Sequence, residues 1–184
     1  EDAYDAKILA EKIEEYNIQR KSFTEDIVKD IISKIENSDK KNKDVIMIYG
    51  DYHEGVLGIV ASNIVEKYQR PVLIMTNKDG ILKGSARSIF DFNIYTAINK
   101  IGDKFIAYGG HTLAAGFSFE ESNFEIIEEE LNKDFSEYKN TNELKSTKTI
   151  DIVTSLEEMS YQFLNSLDAL KPYGMDFEKP TILL

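Results

Sequence analysis

A chain of 184 residues is long enough for one medium-sized domain with its own core and part of a second. Its apolar content of 42% is ordinary for a folded protein, and the absence of cysteine excludes a disulfide framework and a thiolate metal site. A formal net charge of −11 argues against a protein that coats nucleic acid through bulk electrostatics. No apolar run is long enough for a transmembrane candidate, and Glu1-Asp2-Ala3-Tyr4-Asp5 lacks the apolar core of a signal peptide. A soluble, cytoplasmic protein without membrane association is the expectation.

From about Ala3 to Glu36, apolar residues recur at three- and four-residue steps, from Ile8, Leu9, Ile13 and Tyr16 to Phe23, Ile27, Val28, Ile31, Ile32 and Ile35. This reads as one long helix, or as two with a bend where Ser22 and Glu25 could make a second capping box. Asn37 to Lys43 is a polar turn. Val45 to Tyr49 is a continuous apolar run of strand length, the pattern of a strand buried on both faces. It leads through the loop Gly50 to Gly55, which carries His53, into a helix over Gly58 to Tyr68. Arg70-Pro71 should end that helix, because the residue before proline is pushed out of the αR region. Pro71 to Met75 is a second strand, so the segment reads as a βαβ unit. Asn77-Lys78-Asp79-Gly80 is a turn, after which Ile81 to Ser88 should pair back as a hairpin partner.

Asn93 to Ile101 reads as a short helix, and Lys104 to Tyr108 as a short helix or a strand leading to a Gly-Gly-His turn. Ala114 to Phe119 is a strand with Phe117 and Phe119 on one face. Ser122 to Phe135 is an amphipathic helix with a Phe124, Ile127, Leu131 core stripe and a solvated acid face of Glu125, Glu128 and Glu129. The polar stretch Glu137 to Ser146 is the expected domain boundary. Beyond it Thr149 to Val153 alternates as a strand, Ser160 to Leu170 is a helix, Lys171-Pro172-Tyr173-Gly174 a turn, and Thr181 to Leu184 the start of a strand.

The stretch with the most chemistry is Lys83 to Gly116. Gly84-Ser85-Ala86-Arg87-Ser88 offers a planar guanidinium suited to phosphate oxygens, flanked by two hydroxyls. Gly109-Gly110-His111-Thr112-Leu113-Ala114-Ala115-Gly116 offers glycines that let a ligand approach the main chain, beside an imidazole. Together these are the ingredients of a phosphate site. Charge is compatible: Tyr52 to Ser118 holds seven Lys/Arg against five Asp/Glu, or +2, which leaves −13 for the rest of the chain.

Three motifs fall in the order and spacing of one family: Asp51-Tyr52-His53-Glu54-Gly55-Val56-Leu57-Gly58-Ile59-Val60-Ala61, then Lys83 to Ser88, then Gly109 to Gly116. They resemble the C-terminal, substrate-gripping domain of the DHH phosphoesterase superfamily, most closely that of RecJ-like single-stranded-DNA exonucleases. The resemblance runs through nearly the whole chain. It implies an α/β fold, a mixed β-sheet with flanking helices over residues 41–140. A long connecting helix (1–40), with Asn17 and Arg20 as an Asn-x-x-Arg step, would precede it. The truncated start of an OB-like β-barrel (145–184) would follow, although Met175-Asp176-Phe177-Glu178 departs from the family's usual continuation. The catalytic half, with its Asp-His-His signature and metal-binding aspartates, is not in this sequence.

Carried over position by position, the resemblance implies that Ser85, Arg87 and Ser88 hold phosphates of single-stranded DNA. Gly109 and Gly110 would present backbone N–H groups, His111 would contact the phosphate at the reacting end, and Thr112 would add a hydroxyl. His53 has two open roles, a ligand contact or organising its loop and capping the helix after Gly58. Tyr52 stands where the family commonly has Trp. No catalytic residue and no metal ligand is expected in this chain. The Mg²⁺ or Mn²⁺ of metal-assisted hydrolysis would belong to the missing catalytic domain, and this domain would position the strand for cleavage in DNA repair and recombination. Two alternatives stay open: the substrate domain of an oligonucleotide or cyclic-dinucleotide phosphodiesterase, and a non-enzymatic interaction module.

Overall fold

The computed structural model describes residues 2–89, 92–142, 149–174 and 177–184. The chain divides into two units, Glu1–Leu144 and Lys145–Leu184.

The first unit opens with α1, one helix from Asp2 to Glu36. It contains neither glycine nor proline, so its hydrogen-bond ladder runs through Ser22 without a break, and the second cap suggested by Ser22 and Glu25 does not form. Arg20 donates to the Asn17 side chain at 2.8 Å, closing the Asn-x-x-Arg step. The two halves of α1 differ in partners. Ile31 and Ile35 are fully buried, with Ile27, Val28 and Ile32 packed beside them, whereas Ile8, Leu9, Ile13 and Tyr16 are exposed.

A five-stranded mixed sheet follows, in the order β1-β2-β3-β5-β4. Strands β1 (Ile46–Gly50) and β2 (Val72–Lys78) are parallel, joined by helix α2 (Leu57–Tyr68) as the βαβ pattern requires. The end of α2 differs from its predicted cause. Gln69 adopts a left-handed conformation (φ 52°) and its N–H closes on the Val65 carbonyl, so the helix stops one residue before Arg70-Pro71 can act. Strand β3 (Ile81–Arg87) pairs antiparallel with β2 through a two-residue turn at Asp79-Gly80, where both residues have positive φ. Helix α3 (Ile94–Lys100), β4 (Ala107–His111), β5 (Ala114–Glu120) and α4 (Phe124–Thr141) complete the unit.

Strand alternation sends side chains to two cores. On one face Met47, Leu73, Met75, Leu82, Ala86, Phe117 and Phe119 pack under α3 and α4 with Ile98, Leu131 and Phe135. On the other, Ile46, Ile48, Val72 and Ile74 pack under α1 and α2 with Ile31, Ile35, Val60 and Ile64. Each such side chain contributes about 1.5–3 kcal/mol by leaving water. Of the expected acid face on α4, Glu128 is instead buried and paired with Lys40 at 2.5 Å. Lys40 reaches it because the residues after α1 form a 3-10 turn, Asp39–Asn42.

The glycine–histidine segment also differs from expectation. Gly109, Gly110 and His111 lie within β4, and the reversal falls at Thr112-Leu113. An extended β4 needs glycine at position 110, because a Cβ there would lie 2.2 Å from the Ala114 carbonyl oxygen. Helix α4 runs on to Thr141, into the stretch expected to be a boundary, and residues 143–146 of that stretch lie outside the described residues.

In the second unit, β6 (Ile152–Val153) and β7 (Ile182–Leu183) pair in parallel, and helix α5 (Tyr161–Asp168) is capped by the Ser160 side chain. Strands of two residues each do not define the OB-like barrel start. Met175 and Asp176, where the sequence departs from the family's continuation, lie outside the described residues.

Candidate nucleic-acid interface

Directly paired residues on neighbouring strands share a face, so the register places the motif residues without ambiguity. Arg87 pairs with Ala114, and Ala114 with His111. Ser85 pairs with Gly116, and Gly116 with Gly109; Lys83 pairs with Ser118, and Ser118 with Ala107. Three rows across β3, β5 and β4 therefore lie on the face that α1 and α2 cover over β1 and β2. Over β5 and β4 that face is open, and β3 lies at the margin of α2: Lys83, Gly109, His111 and Gly116 are exposed, whereas Ser85 and Arg87 are half-buried. A Cβ built on Gly109 or Gly116 meets nothing within 4 Å, so the middle row is a bare backbone floor. Arg87 and His111 stand at opposite sides of one row, two strands and roughly 10 Å apart.

Arg87 is held in place from two sides. Its Nη1 donates to the Ser85 hydroxyl and to the Ala86 carbonyl, both at 2.8 Å. Its Nη2 lies against the first turn of α2, where a Cβ on Gly58 would approach to 2.6 Å. A side chain at position 58 would displace the guanidinium from this seat. Burial lowers the Arg87 pKa from its ordinary value, and among the described residues no carboxylate lies within 4.0 Å of it. A partly desolvated guanidinium without a counter-charge beside the positive end of a helix is a site where an anion is stabilised.

Ser88 does not join this group. One residue on from Arg87, it is buried and its hydroxyl donates to the Phe92 carbonyl at 2.8 Å, which anchors the segment entering α3. The expected pair of amides is also revised. Along an edge strand such as β4, adjacent N–H groups point in opposite directions, so of Gly109 and Gly110 only one is free to face outward while the other enters the ladder with β5. Thr112 is exposed in the turn, and its carbonyl accepts from Ile94 N–H at 3.0 Å, docking the turn on α3.

His53 has a defined structural role. Its Nδ1 accepts the Gly55 N–H at 3.1 Å, capping the short 3-10 turn Glu54–Val56 that precedes α2. That bond leaves the ring proton on Nε2. Tyr52 does not present a stacking surface. It is buried against α1, where its hydroxyl donates to Asp30 (2.6 Å) and accepts from Lys34 (2.7 Å). Burial, and then the bond to Asp30, push its pKa up to about 12.

Sequence reasoning missed Lys83 and Ser118, which share the open face, and the contact between Gly58 and Arg87. The spacing Lys83, Ser85, Arg87 carried a signal, since alternate residues of a strand share a face. Ser118 is placed there only by the register of β5 on β3. A cleft of about 1080 Å³ lies along β1 at the far edge of the sheet. It is lined by Lys40, Tyr49, Phe124 and Glu128 and contains none of the motif residues, so its size does not bear on the site. Among the described residues no group of three His, Cys, Asp or Glu side chains converges as metal ligands would. A catalytic divalent ion does not fit them. No helix among the described residues is long and apolar enough to cross a membrane.

Residues 6–137 match the DHHA1 domain family, and the chain belongs to it. It is RecJ-like. It is 27% identical over 186 residues to the single-stranded-DNA-specific exonuclease RecJ of Bacillus subtilis (strain 168), covering 100% of this chain and 24% of that protein. With the RecJ of Salmonella typhimurium (strain LT2) it shares 30% identity over 185 residues, 96% of this chain and 32% of that protein. The crystal structure of RecJ in complex with Mg²⁺ from Thermus thermophilus superposes with a TM-score of 0.75 at 25% identity, covering 89% of this chain and 25% of that one. The chain thus spans about a quarter to a third of the length of these relatives, and its α/β fold, a mixed sheet with flanking helices, is theirs.

Proposed function

We propose that the open face over β3, β5 and β4 grips the sugar–phosphate backbone of single-stranded DNA within a RecJ-like exonuclease acting in DNA repair and recombination. The observation that carries this reading is the convergence of Arg87, Ser85 and His111 around a floor of bare glycine backbone on the sheet face beside α2. Arg87 takes a phosphate through the two-pronged geometry of its guanidinium. Ser85 orients the guanidinium and supplies a hydroxyl. The Gly109–Gly116 floor lets the strand lie against the main chain, and an outward amide of β4 with His111 completes the far side. Thr112, at the turn beyond His111, is an accessory donor, and His53 acts by holding its loop.

Phosphodiester hydrolysis is assigned to a DHH catalytic domain outside this chain. That domain would hold Mg²⁺ or Mn²⁺, in keeping with the Mg²⁺ complex of the Thermus thermophilus relative. This chain's residues bind and orient the strand; none holds the metal or moves a proton in the cleavage step.

The test is a fluorescence titration of the chain with labelled single-stranded DNA of varied length at two salt concentrations. Salt-sensitive binding that is lost in Arg87→Ala and His111→Ala supports the proposal. Affinity confined to dinucleotides points to the oligonucleotide or cyclic-dinucleotide phosphodiesterases. Equal binding by wild type and both variants points to an interaction module.

A further inference from the structure

Lys83 stands on the open face two residues before Ser85 and four before Arg87, roughly 7 and 13 Å along β3. In its row it pairs with Ser118, so an ammonium and a hydroxyl sit side by side at the end of the face away from Arg87. Its Nζ is not free. It is bonded to the Glu54 carboxylate at 2.7 Å, with both side chains about half exposed. Glu54 begins the 3-10 turn that His53 caps, so a hydrogen bond from the Gly55 amide to imidazole fixes the loop that carries the carboxylate to the sheet. The bond to Lys83, with a smaller contribution from Lys78, holds the Glu54 carboxyl below its ordinary value, so it is ionised at neutral pH.

A carboxylate bonded to a lysine occupies the place a phosphate oxygen would take. The pair is exposed, so exchanging one anion for the other costs little in desolvation. Resting on the reading of this face as a nucleic-acid grip, we propose that Lys83 and Ser118 form a second phosphate subsite, and that Glu54 is an internal competitor for it. The strand's backbone would then run along β3 from Arg87, over the glycine floor, to Lys83. Its incoming phosphate displaces Glu54 and takes the ammonium and the Ser118 hydroxyl. A ligand with a single phosphate fills the Arg87 subsite and leaves the Lys83–Glu54 pair intact. A longer strand engages both. The face thereby discriminates by length, and Glu54 sharpens the discrimination by removing the subsite from ligands too short to compete.

The experiment measures affinities of the whole chain for a labelled oligothymidylate of several nucleotides and, by competition, for a dinucleotide with one phosphate. Lys83→Ala is expected to weaken the oligonucleotide about three- to tenfold. It should also reduce the slope of log affinity on log salt by about 0.7, one phosphate contact on a single strand. The dinucleotide should be unaffected. Glu54→Gln should tighten the oligonucleotide about two- to fivefold, the size of one exposed charge pair, and that gain should vanish in the Lys83→Ala background. A gain that persists without Lys83 means Glu54 acts only as a general negative charge, and the competitor role falls. If Arg87→Ala abolishes binding while the Lys83 and Glu54 variants match wild type, the second subsite falls and the reading of the face stands. If the chain shows no salt-dependent binding at all, the reading of the face falls and takes the subsite with it.

Discussion

One face of the sheet is two different surfaces. Over β1 and β2 it carries Ile46, Ile48, Val72 and Ile74 beneath α1 and α2; over β3, β5 and β4 it carries Lys83, Ser85, Arg87, Gly109, His111, Gly116 and Ser118, with the first turn of α2 reaching Ser85 and Arg87. The border runs along β3, where Arg87 pairs with Val72 and Ser85 with Ile74 at the margin of α2. The opposite face is apolar across β1, β2, β3 and β5, because α3 and α4 cover it. A sheet strand with one apolar face and one polar, glycine-rich face next to strands buried on both sides marks where the cover stops and a ligand surface begins.

The largest effect that could break this comparison is in stability. Ile74 and Ser85 are register partners on one face, one fully buried and one half-buried at the margin of α2. Ile74→Ala should cost about 2–5 kcal/mol, the usual range for truncating a buried isoleucine. Ser85→Ala should cost about 0.5–1.5 kcal/mol, the worth of the one hydrogen bond it accepts from Arg87. Denaturant melts of both variants check this, and equal losses would mean that the β3 side is packed as tightly as the β2 side.

Next in size are effects on binding. Arg87→Ala should weaken single-stranded DNA by about 1.5–3 kcal/mol, the worth of hydrogen bonds to a charged group, with little change in the denaturation midpoint. Gly58→Ala tests the same side chain from behind. The added methyl would lie 2.6 Å from Nη2 and must push the guanidinium aside, so affinity should fall while Gly55 and the helix remain in place. Titrations of the two variants should shift the same way, with Arg87→Ala the larger. Normal affinity in Gly58→Ala would show that the guanidinium's seat on α2 is dispensable.

Much of this was legible in the residues, for identifiable reasons. The apolar runs Val45–Tyr49 and Pro71–Met75 read as strands from their length and continuity, and Asp79-Gly80 announced the hairpin to β3. Arg87 and His111 were singled out from residue chemistry and from the order of three motifs, and the register puts them in one row. What stayed hidden depends on long-range geometry. The reversal at Thr112-Leu113 has no glycine or proline to announce it, and the glycines that suggested a turn serve instead as open floor and close-packed strand. Ser88 looks equivalent to Ser85 in sequence, but one residue of parity sends its hydroxyl inward to Phe92. Glu128 looked like one more solvated acid because its partner, Lys40, is far away in the chain.

The smallest effect concerns the covered half, at the group that replaces a stacking aromatic. Tyr52, Asp30 and Lys34 form a hydrogen-bonded set that ties the loop before α2 to α1. Tyr52→Phe should cost about 1 kcal/mol at neutral pH, since two ordinary bonds are lost from partly exposed partners. Its pH dependence has a definite sign. The Asp30 carboxyl is held below its ordinary value by its bonds to Lys34 and Tyr52. Its contribution is therefore present above about pH 4 and lost as pH falls through the lowered value. Tyr52 is raised to about 12 by burial and by Asp30, so its contribution is full below about pH 10 and is lost as pH rises through about 12. For Lys34, burial pulls downward but the bonds to Asp30 and Tyr52 prevail and raise it, so it follows the same alkaline sense. The stability difference between wild type and Tyr52→Phe should accordingly be flat between these limits and shrink at both ends. Unfolding free energies across that range, with phenolate absorbance following the alkaline limb, would show it. A difference that instead grew above pH 10 would place Tyr52 outside the bonded set and leave the loop's attachment to α1 to packing alone.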